Sequence, residues 1–242
     1  MTVSGAVLAL ALSSSTGVMS AAVGPIGAAD PLAAVTLPTD RRHAEEISPL
    51  IQKLLADSGV TLGDLDVLIV DRGPGRFTGL RVGLATIKTL AFALAVPVVG
   101  LTSLEILAAV AQRRSIDDDA EARSAPTAIT AITAVIDARR NEVFQQRFGI
   151  DLAPVGEPSV GPAAELAARA EGIVVGDGLD RYRNDYEAAG VADARLVAGI
   201  EVDAAVMLTL AADRIAVAGA EIEPLYLRDP DVNPNVKTRP RV

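Results

Sequence analysis

The chain has 242 residues, half of them hydrophobic, with 31 acidic side chains against 22 Lys and Arg and a formal net charge of −9. That charge excludes a protein that binds nucleic acid over a broadly basic surface, because such binding works by displacing counterions. With no cysteine and one histidine, His43, disulfide scaffolds, thiolate catalysis, zinc–cysteine sites and multi-histidine metal sites within the chain are also excluded.

The apolar mass is Ala, Val and Leu rather than aromatic, which suits parallel strands covered on both faces by close-packed helices. At the start, AVLALALSSS resembles the apolar core of a signal peptide. No Lys or Arg precedes Arg41, however, and the missing positive region favours a buried first strand over residues 6–12. No run reaches the ~18 uninterrupted apolar residues of a bilayer span, so a soluble, cytoplasmic chain without membrane contact is expected. A polar turn, Ser13–Gly17, leads into a second strand near 18–23, and a third is expected near 33–37. Ile47, Leu50, Ile51, Leu54 and Leu55 then fall on one helical stripe that Gly59 ends. Val67–Val70 reads as a strand, 78–95 as a helix and 96–101 as a short strand. Thr102-Ser103-Leu104-Glu105 has capping-box spacing and opens a helix to about 112.

Residues 113–126 are polar, charged and without pattern, and read as a mobile surface loop. Beyond it the pattern resumes with strands at 128–136, 141–148 and 173–175, and helices at 163–170 and 203–219. A proline-bearing tail follows from Pro224. Two αβ halves result, divided as residues 1–104 and 105–242, with no convincing internal repeat in the sequence.

The stretch VDRGPGRFTGLRVGLATIKTLAFALAVP carries the most chemistry. Strand, glycine-rich loop and helix together present backbone N–H groups and a positive helix end to an anion. Neither the P-loop spacing nor the strict G-x-G-x-x-G fingerprint is present, since Gly79 comes one residue late after Gly73 and Gly75. Two readings stay open: a phosphate-contact loop of Gly73, Gly75, Arg76 and Thr78, with Thr78 capping the helix, or a tight turn whose glycines serve packing. Ser13–Thr16 offers hydroxyls to a phosphate without an adjacent acidic residue. His43 begins a helix, but its i+4 neighbour is Ile47, so no metal pair forms. Asp117, Asp118 and Asp119 read as a solvated charge run. The helices at 47–58 and 78–95 either cover the sheet or, through their small residues, admit another helix.

GPGRFTGLRVGLATIKTLA together with PVVGLTSLEILA resembles the signature of the TsaB (YeaZ-type) family. HAEEISPLIQKLL, VIDARRNEVFQQRF and PLYLRDPDV agree in order and spacing, so the resemblance runs from about residue 6 to 232. It implies a two-domain actin/hexokinase/heat-shock-chaperone-like (ASKHA) α/β fold with ribonuclease H-like halves and a degenerate nucleotide site. It also implies a non-catalytic subunit of bacterial tRNA N6-threonylcarbamoyladenosine (t6A, position 37) synthesis that binds no cofactor. Such a subunit pairs with the catalytic TsaD-type paralogue, meets a TsaE-type ATPase through the complex, reaches tRNA only indirectly, and forms a homodimer when alone. The expected interface residues are Ile47, Leu50, Ile51, Leu54, Gly79, Val82, Gly83, Thr86 and Leu90, so that Gly83→Arg should break pairing and spare the fold. Two departures stand out. The Asp-Thr-Ser usual at the end of strand one is replaced by Ala11-Leu12-Ser13, and Arg76 stands where a small hydroxyl residue is usual. The rival readings are an ATP-dependent phosphotransferase or ATPase of the same superfamily and, more weakly, a peptidase.

Overall fold

The computed structural model describes residues 5–38, 43–121 and 130–228, with the backbone alone for His43, Ala44 and residues 116–121. Three antiparallel strands open it: β1 (Leu8–Ser13), β2 (Val18–Pro25) and β3 (Ala33–Pro38). Helix α1 (His43–Ser58) leads to β4 (Val67–Asp71), α2 (Phe77–Leu94) and β5 (Val98–Leu101). Strand β4 lies parallel to β1, and the sheet order is β3-β2-β1-β4-β5. After α3 (Ser103–Glu121) come β6 (Ala131–Arg139), β7 (Glu142–Gly149), β8 (Pro154–Pro162), α4 (Ala163–Ala167), β9 (Ile173–Val175), α5 (Asp177–Ala188), β10 (Leu196–Val197) and α6 (Ala204–Leu210). The second sheet runs β8-β7-β6-β9-β10, the same order as the first. The two halves therefore repeat one topology, although no repeat is visible in their residues.

Side-chain alternation builds five layers. On β1, Leu10 and Leu12 face α1 and α2 in one core, while Ala9 and Ala11 face a second core shared with α3, α6 and the β6–β7 hairpin. The small alanines let α6 approach closely. Leu166, Leu179, Tyr182 and Tyr186 close the far side of the second sheet. By length and apolarity alone α2 would suffice to cross a bilayer. Here its Gly79–Leu80–Gly83–Leu84–Ile87–Ala91 stripe is buried.

Two element expectations need correction, and two further elements, β8 and α5, had no expectation. Helix α3 continues to Glu121 rather than stopping near 112, because no glycine or proline interrupts it, so residues 113–121 are helix and not loop. Residues 122–126 lie outside the described chain. The proline-bearing segment after β7 is a strand, β8, tolerated because it is an edge that pairs only with β7. The polar run at 177–188 is α5, whose apolar content is concentrated on a stripe of Leu179, Tyr182 and Tyr186. The last helix is shorter than expected, because the chain must extend at Val217 to pair antiparallel with Val98 at the edge of the first sheet.

Candidate functional site

The hairpins β1–β2 and β6–β7 hold equivalent places in the two sheets. At the first tip the hydroxyls of Ser13, Ser15 and Ser103 and the N–H of Gly73 all reach the Asp71 carboxylate, at 2.7 Å from Ser13, 2.6 Å from Ser103 and 2.8 Å from Gly73. All four side chains are buried. Burial raises the Asp71 pKa, and the hydroxyls of Ser103 and Ser15, the Gly73 N–H and the Ser13 hydroxyl pull it back. This carboxylate ties β1, β4 and the start of α3 together.

The glycine loop packs onto that tip. Gly73, at φ +95°, fits between the Leu80 side chain and the Leu225 carbonyl, and a Cβ at Gly75 would lie 2.1 Å from the Ser15 carbonyl oxygen. The Arg76 N–H donates to that same carbonyl at 2.5 Å. The close approach these glycines permit is thus made to the chain's own backbone. Arg76 is the N-cap residue of α2, without a side-chain cap bond, and Thr78 lies exposed in the first turn. Thr78 therefore does not cap the helix. The Arg76 guanidinium lies over Gly17, where a Cβ would meet it at 3.1 Å.

The second tip is charged and open. Arg139, Arg140 and Asn141 take left-handed φ values of 66°, 58° and 64° in succession, a costly run for non-glycine residues. Asp137 accepts the Arg139 N–H at 2.8 Å and the Tyr182 hydroxyl at 3.1 Å, and pairs with the guanidiniums of Arg139 at 3.3 Å and Arg181 at 3.6 Å. The Asp137 N–H in turn donates to Asp177 Oδ1 at 3.0 Å. Burial, with the nearby Asp137 charge, pushes the Asp177 carboxyl up to about 6, against the pull of the Asp137 N–H and of Arg76. Thr16, Gly17, Val18, Leu107, Asp177 and Ile200–Val202 line a small pocket beside the first tip. Among the described residues no group of three or more His, Cys, Asp or Glu side chains is placed to hold a metal.

The helices divide differently from expectation. Ile47, Leu50, Ile51 and Leu54 of α1 are all buried in the core beneath the first sheet. Gly79 and Gly83 are buried too: Ser14 Oγ donates to the Gly79 carbonyl at 2.9 Å, and a Cβ at Gly83 would lie 2.3 Å from Ser14 Oγ. Gly83→Arg would therefore break the fold locally rather than spare it. Of the expected contacts, Val82, Thr86 and Leu90 retain partial exposure. Outward on α2 stand Thr78, Ala85, Thr89 and Ala93, with Phe92 at 91% exposure.

Residues 36–189 match the family model described as TsaD, tRNA N6-adenosine threonylcarbamoyltransferase. An uncharacterized Mycobacterium tuberculosis protein is 33% identical over 195 residues, covering 80% of this chain and 79% of that one. TsaB of Escherichia coli, a tRNA threonylcarbamoyladenosine biosynthesis protein, is 28% identical over 204 residues, or 78% of this chain and 82% of its own. Among solved structures, YeaZ from Pseudomonas aeruginosa superposes with a TM-score of 0.69 at 27% identity, covering 91% of this chain and 99% of that one. The chain belongs to the TsaB (YeaZ-type) family.

Asp71, at the end of the parallel neighbour β4, lies 2.7 Å from Ser13 Oγ at the end of β1. Sequence reasoning missed Asp71, Asp137 and Asp177. The available signal was their position at the carboxyl ends of strands or just past them, where α/β sheets gather their polar groups.

Proposed function

We propose that this chain acts in tRNA N6-threonylcarbamoyladenosine synthesis as a non-catalytic subunit that binds and activates a TsaD-type catalytic paralogue. The observation that carries the reading is the outer face of α2. Thr78, Ala85, Thr89 and Ala93 form a thin exposed stripe beside Val82, Thr86 and Leu90, with Phe92 standing out from it. Small side chains let a second helix approach closely, and an exposed phenylalanine gives it an anchor. Family membership supports the pathway, since the TsaB relatives carry that biosynthesis in their names. The buried residues of α1 and Gly79 and Gly83 then act by holding α2 in place, and the contacts are Val82, Ala85, Thr86, Thr89, Leu90 and Phe92.

The pairing partner is the TsaD-type subunit, with a TsaE-type ATPase reached through that complex. In isolation the same face pairs two copies of this chain, since an uncovered apolar patch is rarely left bare. The first tip supports the non-catalytic assignment: Asp71 is buried and already holds four donors, so it offers no free carboxylate to a magnesium–nucleotide. The test is t6A yield in a mixture of catalytic paralogue, ATPase subunit, threonylcarbamoyl-adenylate supply and tRNA. Yield should collapse when this chain is left out, and yield indifferent to it would remove the proposal.

A further inference from the structure

We infer that the face where the start of α2, the chain near Tyr226 and the β6–β7 tip converge is a contact surface for RNA, by which this chain touches the tRNA directly. The inference rests on the t6A reading only for the identity of the RNA.

Contacts fix the layout of that face. Arg81 Nε donates to the Tyr226 hydroxyl at 2.9 Å, and its guanidinium lies 3.6 Å from the centre of the Phe77 ring. The Phe77 and Tyr226 rings sit 5.6 Å apart at 32°. Two residues on, Arg228 Nη1 pairs with Glu142 at 2.8 Å, which brings this cluster to the foot of the hairpin tip. The tip carries Arg139 and Arg140, and Arg181 joins Arg139 on Asp137. Arg76, next to Phe77 in the chain, faces Asp177 behind the tip.

Six guanidiniums therefore converge in a chain whose formal net charge is −9. The acidic groups among them are Asp137, Asp177, Asp180 and Glu142. The Asp137 side chain is only 8% exposed, whereas the Arg139 and Arg181 side chains that pair with it are 52% and 53% exposed. At Asp137 the carboxylate is turned inward and its two guanidiniums outward, while Glu142 is half-buried and Asp180 exposed. Guanidiniums suit phosphate oxygens by their planar, multiple-donor geometry.

The aromatic pair decides between classes of anionic partner. Phe77 and Tyr226 are 40% and 39% exposed, and the Arg81 guanidinium already stacked on Phe77 adds a flat cationic plane. Flat rings and guanidinium planes beside phosphate-binding arginines are what an unpaired base on its backbone needs. An acidic polypeptide would use the charges and leave the rings idle. Because the rest of the surface is acidic, the contact gains strength when another subunit already holds the RNA.

The test uses the full chain assembled with its TsaD-type paralogue. tRNA binding is titrated at several salt concentrations, and ultraviolet cross-links to RNA are mapped. Phe77→Ala should weaken tRNA binding about tenfold by loss of one stacked base. Arg140→Glu should weaken it and flatten its salt dependence, and cross-links should fall on Phe77 or Tyr226. Arg113→Ala, on α3 away from this face, should change neither. Thermal melts and gel filtration establish that each variant is folded and paired. Unchanged affinity and salt slope in both variants would overturn the inference. So would loss of subunit pairing by well-folded variants, which would make this a protein interface. If the unaltered chain fails to pair at all, it is the accessory-subunit reading that falls. The RNA face is then read on the chain alone at low salt, against a single-stranded RNA and a poly-glutamate peptide. Cross-linking of Phe77 or Tyr226 to RNA supports the inference, whereas its absence, or stronger binding of the peptide, overturns it.

Discussion

The two hairpin tips occupy equivalent places in two sheets of one strand order, yet their chemistry has diverged. The first tip has closed on itself: three serine hydroxyls and a backbone N–H surround the buried Asp71, and the glycine loop fills the remaining space. The second keeps Arg139, Arg140 and Asn141 exposed on a left-handed turn around Asp137, whose side chain is largely buried. A duplicated scaffold does not impose duplicated function. One tip is closed around its own carboxylate, while the other leaves Arg139, Arg140 and Asn141 exposed.

Truncating the carboxylate at each tip breaks the comparison most sharply. Asp71→Ala leaves three buried hydroxyls and a buried N–H without their acceptor and should cost about 3 kcal/mol or more in urea unfolding. Asp137→Ala, whose arginine partners can turn to water, should cost about 1 to 2 kcal/mol. Equal losses would contradict the claim that only the first tip is structural.

Next in size is a pair on α2. Gly83→Ala drives a methyl into Ser14 and should lose about 2 kcal/mol. Ala85→Arg, two residues along and exposed, should stay within about 0.5 kcal/mol of the parent in melting yet abolish association in sedimentation. Association surviving Ala85→Arg would remove the outer face of α2 from the interface.

A smaller effect concerns pH. The raised Asp177 pKa means the folded state holds its proton more tightly than the unfolded chain. The penalty for burying its charge is in full force above pH about 6, fades as pH falls, and is gone below the ordinary carboxylate pKa of about 4. Asp177→Asn keeps an oxygen to accept the Asp137 N–H. It should raise stability by about 1 to 2 kcal/mol at pH 7.5 and by much less at pH 4. A gain independent of pH would assign the effect to packing instead. Smallest of all on stability is Phe92→Ser, within about 0.5 kcal/mol of the parent, with pairing weakened.

The buried first strand, the i, i+3, i+4 stripe of α1 and the Thr102–Glu105 capping box were legible because each is a local pattern. There the Thr102 N–H donates to Glu105 Oε1 at 2.9 Å and the Glu105 N–H to Thr102 Oγ1 at 3.2 Å. Strand β8 was illegible because Pro154, Pro158 and Pro162 are breakers everywhere except on an edge, and an edge is a property of the sheet. Which of the expected interface residues would be exposed was not legible for a related reason. An apolar stripe marks the side of α1 that is buried, and it is buried here by the chain's own sheet. The exposed stripe of α2 is made of Thr and Ala, which carry no strong apolar signal. Asp71 escaped notice because its partners at Ser13, Ser15 and Ser103 lie far from it in sequence and meet only when β1 pairs with β4.

The most direct measurement is t6A yield in the reconstituted mixture with the parent chain, with no chain, and with Ala85→Arg. The account predicts full yield from the first and near-absent yield from the other two, with Ala85→Arg folded and monomeric. Full yield with Ala85→Arg, or without any chain, would contradict it.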